Sequence, residues 1–499
     1  MRFFRALFAV CLFVIVLLIG NSGSHSQQES VTFEDYFIDK AMRIDYYHIG
    51  DAKEETITLD HIYQEEIWPG NTKNLIDPFN NGRYGVKVYD AASNQLLYSR
   101  GFDCMFGEYK TTTPAINGVK RTFNRSVHIP FPKSPVTFVI EARDKKNQLH
   151  PLFTLQIDPS DYHIIKETAS SHDFVYEALI NGDPHTKVDL VFVAEGYTSD
   201  DKDKFKADVD RFAEYLLETE PYKSTKNRFN IYGVFQPSPE SALDEPRQGI
   251  FKNTVLNASF NAFDLDRYVL TEEGMRLRKI ASQVPYDTIV IMANSKRYGG
   301  GGIYNDYCIA TVDNPVSKRL FLHEFGHSFA GLADEYYASA VSYNEFYPKG
   351  IEPLEPNITA LLNPDQVKWK DLLSPDVAIP TDWGKEKRDS LQAELRKNGL
   401  AMRNEIKLAK QKGLSEEQIK KIEEKFKKTF DNIITQLEEV KKQYSSLEDK
   451  VGVFEGAGYA SEGLYRPMIY CLMGSSPKDE YCLVCQKAIA RMIAYHSSE

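Results

Sequence analysis

The sequence predicts a multidomain α+β protein: an N-terminal antiparallel β-sandwich, then an α/β layer interrupted by a helical hairpin. Three observations predict it. The chain has 499 residues, more than one hydrophobic core ordinarily organises, so two or three domains are expected. Up to residue 165 the apolar residues alternate with polar ones at the period of strands, and beyond it strand and helix patterns succeed one another. A third texture, rich in charge and almost without glycine, fills residues 384–449.

The first 26 residues read as a signal peptide. Arg2 and Arg5 precede a continuous apolar run, and small polar residues follow, placing cleavage near Ser22 to Ser26. A retained N-terminal anchor is the rival reading. Cys11 follows Val10 rather than a small residue, which argues against a lipid-modified cysteine. The expected location is therefore secreted, periplasmic or cell-surface. The formal charge is −11 and becomes about −13 once Arg2 and Arg5 are removed. An acidic chain of this kind is a poor partner for nucleic acid or an anionic membrane.

The segment 27–165 is the predicted β-sandwich. YGVKVYD, NQLLYSRGF, RTFNRSVHIPF and SPVTFVIEARD alternate apolar and polar residues between Gly, Pro, Asn and Asp breaks. The segment 166–499 is the predicted second domain. VDLVFVAEGY is a buried strand, DDKDKFKADVDRFAEYLLE an amphipathic helix opened by acids, and RFNIYGVF and DTIVIMAN further strands. Within it, Ile419, Ile422, Phe426, Phe430, Ile433, Leu437 and Val440 repeat at threes and fours. Gly413 ends one helix and Ser415, with Gln418 three residues on, caps the next, giving an antiparallel hairpin over 384–449. Such a hairpin serves as a spacer or dimerisation arm, or grips a substrate.

The chemistry lies in HEFGHSFAGLADEYY, residues 323–337. Residues four apart share one helix face, so His323 and His327 can offer nitrogens to one ion. Glu324, turned about 100° away, can reach a water at that ion without ligating it. The five-letter motif is common by chance, but a chance copy sits among charges. Here Leu320 to Leu322 precede it and Phe325, Gly326, Ser328 and Phe329 accompany it, so the helix is buried. Two histidines and a glutamate buried together need a partner, and a zinc ion supplies one.

The third ligand is less obvious. In the pattern HExxHxxGxxH, or its Asp variant, the glycine turns the chain and the residue three further on meets the ion. Ten residues after His323 stands Ala333, which binds nothing. The glycine, however, has also moved one place, to Gly331, and three residues beyond it is Asp334. Asp334 is the expected ligand and Glu335 the alternative. On this count Asp334→Ala loses the metal and Glu335→Ala keeps it.

Three neighbouring features belong with this helix. Met473, followed by Gly474 and Ser475, reads as a tight turn that would lie beneath the metal, with Met468 the other candidate. Ser475 stands where some related turns carry a tyrosine, so no tyrosine is assigned to oxyanion stabilisation. YGGGGIYNDYCIATVDN, residues 298–314, lacks the Lys-Ser/Thr of a phosphate loop. IYNDYCIAT reads instead as a sheet edge able to pair with an extended chain, its glycines a mobile rim, or as a plain loop.

After export five cysteines remain: Cys104, Cys308, Cys471, Cys482 and Cys485. The odd number leaves at least one unpaired or joined between chains. In an exported chain, disulfides clamping the region around Met473 are the economical expectation. A second, structural zinc site completed by Cys308 is the alternative.

The chain resembles the M64 family of zinc peptidases, called IgA peptidases, of metzincin type. The resemblance is carried by VDLVFVAEGYTSDD, YGGGGIYNDYCIAT, LHEFGHSFAGLADEYY and CLMGSS with its trailing cysteines. Residues 30–165 resemble the N-terminal domain of secreted bacterial members. It implies a metzincin-like α/β zinc peptidase domain over 166–499, with His323 and His327 as ligands, Asp334 as the third, and Glu324 as the catalytic acid/base. It implies Zn2+ as cofactor and a protein or glycoprotein substrate, immunoglobulin A included, but does not establish that substrate. The hairpin matches none of these motifs. Rival readings are a zinc amidase or carboxypeptidase with small substrates, and a secreted adhesin in which the zinc is structural. A glutamate beside the histidines speaks against the adhesin, because a structural site has no use for a general base.

Overall fold

The computed structural model describes residues 31–167, 174–337, 346–477 and 479–498. The segment 1–26, read above as a signal peptide, lies outside them. Among the described residues no helix is long and apolar enough to cross a membrane.

The protein is a mixed α+β structure, with four sheets among the described residues. Strands β1 (Phe37–Gly50), β2 (Glu55–Glu65), β3 (Tyr84–Asp90), β4 (Leu96–Phe102), β5 (Arg121–Pro132), β6 (Val136–Arg143), β7 (Leu149–Ile157) and the short β8 (Ile165–Lys166) form two four-stranded sheets. Their orders are β5-β1-β2-β8 and β4-β3-β6-β7. All of these pairings are antiparallel except β2 with β8, which runs parallel. Strand β1 is buried without break from Ala41 to Tyr46. Arg43 can lie there because Asp45, Glu65 and Glu167 contact its guanidinium at 3.1, 2.5 and 2.7 Å.

The third sheet has six strands: β9 (Phe174–Leu179), β10 (Val188–Glu195), β11 (Phe229–Phe235), β12 (Thr288–Ala293), β13 (Gly300–Ile303) and β14 (Tyr307–Thr311). Its order is β13-β14-β12-β10-β11-β9, parallel in the centre and antiparallel at both edges. Strand β10 is buried at every residue, as a central parallel strand covered on both faces must be. Its side chains alternate between two cores. Val191 and Val193 join the apolar core shared with the N-terminal sheets. Leu190, Phe192 and Ala194 join the core built with the helices of the second region.

Two of those helices hold the site. One runs Ser317–Ala330 against β13 and β14 and buries Leu320, Phe321, Leu322, Phe325 and Phe329. It ends at Gly331, whose φ of 60° is the left-handed conformation glycine takes without strain. The other is the C-terminal helix Leu483–His496. Between them in sequence come the helices Lys385–Gln411 and Glu416–Gln443, packed together through Leu391, Ile433 and Val440. The capping box of Ser415 and Gln418 forms, and Gly413 turns at φ 70°. A two-stranded ribbon, β15 (Phe454–Ala457) with β16 (Ala460–Arg466), leads back to the site.

Candidate metal centre and cleft

His323 and His327 project from one face of the Ser317–Ala330 helix, one turn apart. Their Nε2 atoms lie 3.2 Å from each other. Each ring is held by its far nitrogen: His323 Nδ1 is 3.1 Å from Leu472 O, and His327 Nδ1 is 2.6 Å from Leu332 O. A carbonyl only accepts, so each Nδ1 carries a proton and each ring turns its Nε2 toward the other. Asp334 brings a third acceptor, its Oδ1 3.0 Å from His323 Nε2 and 3.5 Å from His327 Nε2. The three ligand atoms lie within 4.8 Å of one another. Asp334 is 6 % exposed and its Oδ1 is buried without a hydrogen-bond partner. Three acceptors converging on one point fit a divalent cation.

Burial alone would lower His327 and raise Asp334, but their mutual attraction wins: His327 is raised to about 9 and Asp334 is held far below the usual carboxylate range. Tyr459 donates its hydroxyl to Asp334 Oδ2, fixing the carboxylate from behind. Glu324 lines the cleft with both histidines. Burial pushes its carboxyl above the ordinary value, and Asp334 adds to the rise while the histidines oppose it.

Glu335, the alternative third ligand, points elsewhere. Its carboxylate faces Cys471, Cys482 and Cys485. The two adjacent carboxylates thus face different groups, Asp334 the histidines and Glu335 the cysteines. Met473 lies under the helix: a Cβ at Gly326 would stand 2.8 Å from its sulfur. The Met473 carbonyl accepts from Glu335 N at 2.8 Å, so the turn and the ligand segment are stitched together.

Two expectations are corrected. The described cysteines Cys104, Cys308, Cys471, Cys482 and Cys485 are all free thiols, and none forms the expected disulfide clamp. The sulfurs of Cys471 and Cys485 are 3.7 Å apart, far beyond a bond. Cys308 is on β14, hydrogen-bonded to Ser328, and Glu335 takes the place proposed for it. The sheet edge is also shifted. IYNDYCIAT spans a hairpin, and the edge strand is the glycine run itself, β13. Gly300 and Gly302 line the cleft. A Cβ on Gly302 would meet Glu324 O at 2.3 Å and one on Gly300 would meet Ile309 O at 2.7 Å, so the strand can lie this close to the metal helix only without side chains. The outer edge is partly taken, since Gly300 bonds to Arg267 O and Val269 N, and Asp103 N donates to Tyr304 O.

The N-terminal region supplies one wall of the cleft, through Arg83, Asp103 and Glu108. Nothing in the local sequence pattern signals this. It follows from docking: Asn305 Nδ2 donates to Gly101 O at 2.7 Å, and Arg125 pairs with Asp306. Arg267, Tyr298 and Arg319 complete the opposite rim. No residue of the helical hairpin lines the cleft.

Glu108 is the wall's titrating group. Burial pushes it up to about 7, against the lowering effect of the hydroxyl that Tyr268 donates at 2.5 Å. A carboxyl raised from 4.5 in the folded state destabilises the fold as it ionises, so stability falls from about pH 4.5 to about pH 7 and stays lower above. Glu108→Gln keeps the acceptor for Tyr268 and removes the charge. It is expected to stabilise the protein by about 1–2 kcal/mol near pH 8 and to have no effect near about pH 4. Urea unfolding at the two pH values checks this; an equal effect at both would contradict it.

Two family models match the chain: that described as IgA Peptidase M64, over residues 177–493, and that described as Peptidase M64 N-terminus, over residues 32–154. A comparison with curated proteins finds no match. Since the first match alone covers more than half of the chain, and its convergent acceptors lie inside that span, the protein belongs to the M64 peptidases, a family of metallopeptidases whose substrates are proteins.

Proposed function

We propose that the protein is an exported zinc endopeptidase of extracellular proteins or glycoproteins, with His323, His327 and Asp334 holding the ion and Glu324 as acid/base. The observation that carries this is the pair of Nε2 atoms and the orphaned Asp334 Oδ1 facing one point. Zinc bound there supplies Lewis acidity and lowers the pKa of a water from 15.7 toward roughly 7. Glu324 takes the proton of the attacking water and hands it to the leaving amine. Its raised proton affinity suits both transfers. Leu472 O and Leu332 O keep the two rings in the tautomer that binds metal.

The metzincin-type reading of 166–499 is supported by the helix end at Gly331, by Asp334 three residues on and by Met473 beneath the helix. The sandwich reading of 27–165 is supported by two four-stranded, almost wholly antiparallel sheets. Export rests on the apolar segment 1–26. Immunoglobulin A is one candidate substrate, because the matching family carries that name. The cleft favours a chain over a small molecule, since its walls come from both regions.

Digestion of a denatured protein mixture, read by mass spectrometry of new termini, tests the proposal. Internal cleavage abolished by a chelator and restored by zinc is expected. Release of terminal residues only, or cleavage indifferent to chelation, would contradict it. Immunoglobulin A in the same assay decides that substrate.

A further inference from the structure

A second cluster of ligand-bearing side chains lies next to the first. Glu335, Cys471, Cys482 and Cys485 place one carboxylate oxygen and three sulfurs within 4.8 Å of one another. They come from three segments: the stretch after the metal helix, the Met473 turn, and the start of the C-terminal helix, where Cys482 is the N-cap. Exposure is 1 % for Glu335, 1 % for Cys471, 5 % for Cys482 and 0 % for Cys485. We propose that this cluster is a structural zinc site, closed by the three thiolates and the Glu335 carboxylate.

The geometry favours an ion over the alternatives. A disulfide needs sulfurs about 2.05 Å apart, whereas Cys471 and Cys485 are 3.7 Å apart. Tetrahedral zinc with Zn–S of about 2.3 Å sets its sulfurs about 3.8 Å apart. The oxygen distances are of the same kind: Cys485 Sγ is 3.1 Å and Cys482 Sγ 3.7 Å from Glu335 Oε1. Pairing any two cysteines would leave the third thiol and a buried carboxylate together. A cluster of plain thiols fares no better, because Glu335 Oε2 is buried with no hydrogen-bond partner.

The surroundings prepare thiolates and a fixed carboxylate. Cys482 N donates to Cys471 Sγ at 3.2 Å. Asn357 Nδ2 donates to Glu335 Oε1 at 3.0 Å, and its own oxygen accepts from Ala333 N at 2.8 Å. Arg466 lies close by, but its Nε donates to Met468 O and its Nη1 to Glu335 O and Gly456 O, all main-chain carbonyls. Borderline-soft zinc is the cation that three thiolates and one carboxylate select, and no fourth position is left open for water or substrate.

Such an ion would be a positioning device. Glu335 follows Asp334 directly, and Cys471 precedes Leu472, whose carbonyl orients His323. One ion thus anchors both the residue next to a proposed ligand and the residue before a ring's hydrogen-bond acceptor. That consequence rests on the proposed histidine site; the cysteine site itself does not.

The test is zinc content and cobalt spectroscopy of the purified full chain. The wild type is expected to carry about two zinc ions, and His327→Ala about one. After exchange with cobalt(II), both are expected to show thiolate-to-cobalt charge-transfer absorption in the near ultraviolet. Cys482→Ser and Glu335→Gln are expected to carry about one zinc, with the absorption lost in both. If these variants do not fold, the wild type and His327→Ala still decide. Absence of the thiolate absorption in the wild type would overturn the proposal, as would two fewer titratable thiols under denaturation, which would mark a disulfide. A wild type with one zinc and the full thiolate absorption would uphold this site and contradict the histidine site instead.

Discussion

Glu324→Ala is expected to lower peptidase activity by about 10²–10⁴-fold, the range that a positioned general base contributes, while fold and metal content stay intact. The reason is placement. Glu324 lines the cleft beside both histidines but is not among the acceptors that converge with Asp334. Removing it takes away the group that moves the proton and leaves the metal trio untouched. Cleavage of a protein substrate at constant enzyme concentration, with zinc measured on the same sample, reads both quantities. Undiminished cleavage would remove Glu324 from the chemistry. Loss of zinc together with activity would make it a ligand instead.

Asp334→Ala is expected to weaken metal binding at the histidine pair by more than about 100-fold, exceeding what the loss of an outer hydrogen bond costs. Two facts set its size. Among the described residues, Asp334 Oδ1 is the one carboxylate oxygen within reach of both Nε2 atoms, at 3.0 and 3.5 Å. The residue next to it cannot substitute, because Glu335 faces the cysteines. Glu335→Ala is expected to leave the histidine site loaded and to change metal content at the cysteines. Competition with a chromophoric chelator separates the two variants. Equal loss at the histidine site in both would contradict the assignment of Asp334.

Much of this site could be read before folding was considered. The helix Ser317–Ala330 announced itself because its motif sits among uncharged neighbours, and those neighbours, Leu320, Phe321, Leu322, Phe325 and Phe329, are the side chains it buries. Counting from Gly331 rather than from His323 singled out Asp334, whose Oδ1 the fold sets 3.0 and 3.5 Å from the two Nε2 atoms. The strands YGVKVYD and VDLVFVAE coincide with β3 and β10 because a strand half or wholly buried writes its period into its own residues.

Other parts were hidden for physical reasons. Strand β1 carries Arg43 and Asp45 in a fully buried run, which breaks the polar–apolar alternation; Arg43 pairs with Asp45 and with Glu65 and Glu167 from distant segments. Glu108 and Arg83 enter the cleft through domain docking, which no local period encodes. The glycine run at 300–302 was read as mobility, whereas it serves close approach of a strand to the metal helix. The role of Glu335 was hidden because its partners lie far along the chain. Cysteine spacing alone pointed to disulfides and to Cys308, and only the folded chain shows which acid completes the group.

The central claim is that one cation sits where His323 Nε2, His327 Nε2 and Asp334 Oδ1 converge. Anomalous X-ray scattering at the zinc absorption edge, recorded on crystals grown without added metal, tests it most directly. The account predicts a zinc peak between those three atoms. Density there without anomalous signal at the zinc edge, or a water bridging the two imidazoles in its place, would contradict it.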